Sequence, residues 1–213
     1  AARAFLGVML QRELGTRTGM QVSALGLGCW AIGGPWTSNG QPAGWGEVDD
    51  AESIRAIHTA VELGIRFFDT APIYGTGRSE EVLGRALAAY PEVLVGTKLG
   101  VGMDERSKQI EFTAEAITPT ALVRSIDASL RRLRRERIDL VHLHLNSLPT
   151  TQAAVVFDTL AKLRIAGKVD AFGWSTDYPT SAAAFATSPN FVSVQHAMNV
   201  FFRATDLMHV IEQ

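Results

Sequence analysis

From about residue 25 onward, short apolar runs alternate with longer stretches whose apolar positions recur every third or fourth residue. The runs are Leu25–Trp30, Ile65–Phe68, Val93–Gly96, Ile138–Leu143, Val169–Gly173 and Phe191–Val194. They are rich in Val, Ile, Leu and Phe with little polar alternation, the pattern of strands covered on their outer face. The intervening stretches carry helix punctuation. Asp49 is an aspartate cap with Glu52 three residues on. Ser79 reads as a cap before the acidic Glu80 and Glu81. Thr118-Pro119 puts proline in the first helical position, and Leu122, Ile126, Leu130 and Leu133 then recur at helical spacing. Gly64 and Gly167 follow two such segments as stops. Strand–helix–strand alternation at this spacing predicts parallel strands joined by crossover helices. Six βα units fit, the last starting near Asp206. Ahead of them, Arg12–Thr16 and Met20–Ser23 flank Arg17-Thr18-Gly19 and predict a small hairpin.

The strand ends carry the candidate chemistry. Phe67-Phe68 runs into Asp69, Val93–Thr97 into Lys98, and Leu140–Leu143 into His144. Phe172–Trp174 runs into Ser175-Thr176, and Val192–Val194 into Gln195-His196. Successive parallel strands thus deliver polar side chains to one end of the sheet. In a closed (β/α) barrel that end holds the chemistry, and in an open doubly wound sheet it is the ligand crevice. Tyr74 lies five residues past Asp69.

The stretch from Gly64 to Gly84, with Phe68-Asp69-Thr70-Ala71, Tyr74-Gly75-Thr76-Gly77 and Ser79-Glu80-Glu81, resembles the signature of the aldo-keto reductases. Lys98 after Val95-Gly96-Thr97, and Asp139 through His144, match the next two blocks in order. The resemblance runs from about Gln11 to Gln213 and points to the bacterial-type or potassium-channel β-subunit-like branch. It implies a (β/α)8 TIM barrel that binds NADPH (or NADH) without a Rossmann fold and reduces a small-molecule aldehyde or ketone. The matching catalytic positions are Asp69, Tyr74, Lys98 and His144. Their chemistry is arguable on its own. Carbonyl reduction needs a proton for the oxygen as hydride reaches the carbon, and an ordinary tyrosine, with a pKa of ~10, holds its proton too tightly. A nearby ammonium favours the phenolate, and a carboxylate beside the lysine keeps it charged. Tyr74 is therefore the expected acid, Lys98 its tuner, Asp69 the lysine's partner and His144 the donor that positions the carbonyl oxygen.

By the same resemblance, Trp30, Asp69, Ser175, Thr176 and Gln195 are the expected cofactor contacts. Thr176 departs from the family's usual asparagine, keeping a hydroxyl and losing the amide. Trp36, with Tyr74 and His144, is expected at the substrate pocket. Trp36 and Trp45 lie in the long loop after the first strand, where they either wall that pocket or pin the loop to the rim.

Other readings compete locally. Gly26 to Ala31 fits a Gly-x-Gly-x-x-Ala fingerprint, but Gly33-Gly34-Pro35 follows where a helix should begin, so a structural turn is preferred. Gly75-Thr76-Gly77 reads as a flexible loop presenting Tyr74. His142-x-His144 suggests a metal-dependent barrel hydrolase, which would need further ligands from Asp69 or His196 and would leave Lys98 crowding a cation; no metal is expected, and His142 is taken as a core histidine. A cofactor-binding regulatory subunit with little turnover, as some members of the family are, is a further alternative. The arginine-rich segment from Arg131 to Arg137 reads as the solvated face of a helix.

Composition narrows the setting. The chain has 213 residues, 46% hydrophobic and 20% charged, with a net charge of −2, which argues against a nucleic-acid partner or a polybasic membrane binder. No apolar run approaches the ~20 residues needed to span a bilayer. The single cysteine, Cys29, cannot form an internal disulfide, which points to a reducing, cytoplasmic setting. Ala4–Leu10 is apolar behind Arg3 but lacks a small-x-small cleavage site, so residues 1–10 are read as an upstream extension or a vector-derived scar. Residues 11–213 are read as one incomplete barrel domain, because a whole (β/α)8 barrel typically takes ~250 residues.

Overall fold

The computed structural model describes residues 9–15 and 18–212. Most of the amino-terminal extension, and Thr16 and Arg17 of the expected hairpin turn, lie outside them. The hairpin strands are β1 (Gln11–Glu13) and β2 (Gln21–Ser23), paired antiparallel. The main sheet contains β3 (Leu27–Gly28), β6 (Phe67–Asp69), β7 (Leu94–Leu99), β10 (Ile138–Leu143), β11 (Val169–Ser175) and β12 (Phe191–Gln195). The helices are α1 (Asp50–Glu62), α2 (Arg78–Ala86), α3 (Pro119–Leu133), α4 (Thr150–Ile165), α5 (Pro179–Ala183) and α6 (Thr205–Glu212).

The order across the main sheet is β12-β11-β10-β7-β6-β3, and every pairing is parallel. Spatial order follows chain order without reversal. Right-handed crossovers that all step the same way place every helix on one face, which is the winding of a barrel wall. A doubly wound sheet would reverse direction once. The six expected βα units are therefore present in barrel order.

Local chemistry explains the helix boundaries. Asp49 accepts from the Glu52 N–H at 2.8 Å, and Thr118 caps α3 with Pro119 in its first turn. Gly64 and Gly167 take up positive φ, 92° and 76°, just past α1 and α4. Ser79 differs from expectation. The residue ahead of α2 is Gly77, in a left-handed conformation, and Ser79 lies inside the first turn with its hydroxyl directed to the sheet.

The core lies between helices and sheet. Ile57 and Val61, Val82 and Leu83, Leu122 and Ile126, and Val156 and Leu160 pack on outward-facing Phe68, Val95, Val141 and Phe172. One expectation about charge is corrected here. Glu80 has no exposed surface; it accepts from Thr97 Oγ1 at 2.6 Å and from Arg132 Nε at 2.7 Å. Arg132 also reaches Glu105, and Arg135 binds Asp139 and the Val93 carbonyl. The arginine-rich segment is thus partly a set of internal clamps, because α3 packs against both α2 and the sheet.

A four-stranded sheet absent from the sequence reading sits beside the strand ends. It contains β4 (Thr37–Ser38), β5 (Gln41–Pro42), β8 (Gly102–Asp104) and β9 (Gln109–Glu111), in the order β5-β4-β9-β8. The β4–β9 pairing is parallel and joins the insertion after β3 to the one after β7.

Candidate active site

The sheet register brings the expected residues together. Asp69 ends β6, opposite Gly96, and Lys98 stands two residues further along β7 on the same inward face. His144 follows β10 directly, its N–H donating to the Leu99 carbonyl at 2.8 Å. Ser175 and Gln195 are register partners at the ends of β11 and β12. Asp69, Tyr74, Lys98, His144, Ser175 and Gln195 line one cavity of about 380 Å³.

At its floor Lys98 is 1% exposed. Its Nζ donates to Asp69 Oδ2 at 2.6 Å and to the Thr70 carbonyl at 2.9 Å. The same nitrogen lies 5.0 Å from the centre of the Tyr74 ring. Trp30 stacks on Tyr74 at 6.1 Å and 20°, and His144 meets Tyr74 edge-on at 6.1 Å. A buried ammonium survives only with such partners, and a carboxylate plus a carbonyl supply them.

The loop carrying Tyr74 is tightly held, which corrects the expectation of a flexible segment. Gly75, Thr76 and Gly77 all have positive φ, at 65°, 50° and 101°. Thr76 is 3% exposed. The loop packs on the 3-10 turn Ala31–Gly33. A Cβ at Gly33 would lie 2.5 Å from the Tyr74 carbonyl carbon and 2.6 Å from the Gly75 nitrogen, so only glycine admits this approach.

Burial raises the Tyr74 pKa above the ordinary phenol value; Lys98 lowers it, Asp69 raises it, and burial prevails. The ammonium therefore acts in the expected direction without setting the sign. Burial, reinforced by Lys98 and His142, pushes His144 down to about 3, so its imidazole is neutral near pH 7. His142 is likewise pushed down to about 4 by burial. Its Nε2 sits 2.9 Å from Ser193 Oγ, and its Nδ1 has no partner. His142 is thus an interior residue beneath the cavity. No group of three or more His, Cys, Asp or Glu side chains able to hold a metal occurs among the described residues.

Three sequence-picked residues sit differently from the simplest expectation. Trp36 is buried in a separate small core with Ala71, Ile73 and Ile110, so it pins the loop and does not wall the cavity. Trp45 meets Trp30 edge-on at 5.8 Å, and both remain substantially exposed beside Tyr74. Thr176 lines the cavity, but its hydroxyl donates to the Asn146 carbonyl at 2.7 Å and accepts from the Tyr178 N–H. Asn146 and Asp177, which the sequence reading passed over, also line the cavity. Asn146 Nδ2 donates to Asp177 Oδ2 at 3.1 Å, and Asp177 Oδ1 accepts from the Ala197 N–H at 2.8 Å. That clasp ties together the loops after β10, β11 and β12. The available signal was their place one or two residues beyond the picked positions.

The cavity also suits a ligand rich in hydrogen-bond donors. Asp69 Oδ1 is a buried carboxylate oxygen without a partner, and a buried acceptor left unmet is costly. A nicotinamide nucleotide carries hydroxyl and amide donors suited to that oxygen, to the Ser175 hydroxyl and to the Gln195 amide oxygen.

A singly wound βα barrel wall, with its polar cavity at the carboxyl ends of the strands, is the class that fold and site define. The profile of the aldo/keto reductase family matches residues 24–213, and the chain belongs to that family. It is 32% identical over 189 residues to the aldo-keto reductase YhdN of Bacillus subtilis (strain 168), covering 87% of this chain and 53% of that protein. To the NADH-specific methylglyoxal reductase of Escherichia coli (strain K12) it is 34% identical over 174 residues, covering 78% and 51%. A solved glycerol dehydrogenase from Gluconobacter oxydans superposes with a TM-score of 0.76 at 36% identity, covering 95% of this chain and 59% of that one. The chain spans about half the length of these two curated relatives. No described helix is long and apolar enough to cross a membrane.

Proposed function

We propose that this chain carries the catalytic half of a nicotinamide-dependent carbonyl reductase acting on small aldehydes or ketones. The observation that supports it most is the Asp69–Lys98–Tyr74 arrangement, a buried ammonium fixed by a carboxylate at 2.6 Å and set 5.0 Å from a phenol ring. A reduced nicotinamide, NADPH or NADH, supplies hydride to the carbonyl carbon when bound. Tyr74 gives its hydroxyl proton to the carbonyl oxygen, which leaves a tyrosinate beside the Lys98 ammonium. Asp69 keeps that ammonium charged, and solvent returns the proton to Tyr74 after product leaves. A neutral His144 donates one ring N–H to the carbonyl oxygen and so fixes which face meets the hydride. Trp30, Asp69, Ser175, Thr176 and Gln195 form the cofactor side, with Thr176 contributing through the backbone position it holds.

The direct test is Tyr74→Phe in the longest available chain. Loss of the general acid should lower kcat by roughly 10²–10⁴-fold while nicotinamide binding, followed by fluorescence titration, is retained. Near wild-type turnover would sink the assignment. Cofactor binding by the unmutated protein with negligible turnover on several aldehydes would instead favour a regulatory role.

A further inference from the structure

Ser79 and Thr70 lie behind the cavity, both without exposed surface, and the chemistry above uses neither. The Ser79 hydroxyl donates to the Cys29 carbonyl at 2.7 Å and lies 2.8 Å from Thr70 Oγ1. A serine has one hydroxyl proton, so Thr70 must be the donor between the two. The carbonyl of Thr70 accepts from Lys98 Nζ at 2.9 Å. The backbone N–H of Ser79 donates to the Tyr74 carbonyl at 3.1 Å. Cys29 precedes Trp30, and its own N–H donates to the Asp69 carbonyl at 2.8 Å. One residue thus meets the segments bearing Trp30, Asp69 and Tyr74, and through Thr70 it reaches Lys98. Its neighbour Glu80 accepts from Thr97, next to Lys98, at 2.6 Å.

We propose that Ser79 is a positioning residue, the hub through which the first turn of α2 holds Lys98 against Tyr74 and Trp30. The proposal rests on the carbonyl-reduction reading for its role in turnover, but its geometric content stands apart. Removing the hydroxyl would strand the Thr70 hydroxyl and the Cys29 carbonyl in a dry interior. Groups left so move to find partners. The carbonyl of Thr70 is one of the two acceptors holding the Lys98 ammonium. Its displacement changes the distance from that ammonium to the phenol. The groups acting on the Tyr74 hydroxyl are Lys98, Asp69 and the Cys29 thiol, with the neutral His144 ring edge-on. Of the charged ones only Lys98 favours the phenolate.

The experiment is an ultraviolet titration of Tyr74 in the full chain, taken as the difference from Tyr74→Phe, with kcat and KM for an aromatic aldehyde measured across the same pH range. Ser79→Ala should move the Tyr74 midpoint upward by about 1. It should also lower kcat at neutral pH by ~10-fold or more with KM little changed. Thr70→Val, which cuts the link from the other side, should act in the same direction. Thr159→Val removes another buried hydroxyl, one that bonds the Val155 carbonyl within α4; it should lower Tm without moving the Tyr74 titration. If Ser79→Ala and Thr70→Val lower Tm as Thr159→Val does and leave both titration and kcat unchanged, the positioning role is overturned. Should Ser79→Ala fail to fold, Thr70→Val decides alone. A shifted titration in a chain that reduces no carbonyl would uphold the positioning role and reject the reductase reading.

Discussion

Gly33→Ala concentrates the physics of the site into one methyl group. The backbone φ of Gly33 is not positive, so alanine carries no conformational penalty there and the whole effect is steric. The new Cβ would stand 2.5 Å from the Tyr74 carbonyl carbon, 2.6 Å from the Gly75 nitrogen and 2.8 Å from the Tyr74 oxygen, against an ordinary contact of 3.4 Å or more. All three are backbone atoms, so no rotamer change relieves them. The Tyr74 loop must move by roughly 1 Å, the scale of misplacement that costs on the order of 10²-fold in rate. Overpacking of this kind destabilises by about 1–3 kcal/mol. That corresponds to a Tm fall of roughly 2–12 °C, at ~2–4 °C per kcal/mol for a chain of this size. Thermal melts by circular dichroism and steady-state reduction of one aldehyde measure the two effects separately. A Gly33→Ala protein with unchanged Tm and unchanged turnover would refute the claim that this approach fixes Tyr74.

Three further outcomes follow from the same geometry. Arg132→Met leaves the fully buried Glu80 without its cation; unfolding in urea should show a loss of about 3–5 kcal/mol, partly recovered in the Arg132→Met/Glu80→Gln double variant. Asp50, held by Arg85 and Arg78, has its pKa lowered below 3.8 by those partners. Its contribution is therefore present above that value and lost as pH falls through the folded pKa, so the Tm gap between wild type and Asp50→Asn should close in acid. His144 sits at about 3 in the fold against 6.5 when exposed. The unfolded chain then binds the extra proton between those values, so stability falls as pH drops from 6.5, and His144→Asn should lose less Tm between pH 6.5 and 4.

Local signals were legible in the chain where their physics is local. Asp49 and Thr118-Pro119 cap helices through atoms three residues away, so sequence alone marks them. Asp69, Lys98, His144, Ser175 and Gln195 were found because a parallel strand delivers its last residue to a common end, whatever the tertiary detail. Arg132 was misread as solvated because periodicity sees one helix at a time, whereas α3 packs against both α2 and the sheet. The four-stranded rim sheet left no trace because its strands are only two or three residues long, too short to show a period. The different fates of Trp30 and Trp36 depend on the path of the loop between them. The Asn146–Asp177–Ala197 clasp is made across loops from three separate βα units, where no spacing rule applies.

The parallel pairing of Thr37-Ser38 with Gln109-Ile110 also constrains how this barrel can diversify. The loop that presents Trp30 and Trp45 and the loop that follows Lys98 are stitched into one sheet. A change of length in either must be accommodated by the other. Transplanting a neighbour's selectivity into this scaffold should therefore succeed when residues 35–46 and 100–112 travel as a pair, and fail when either is exchanged alone.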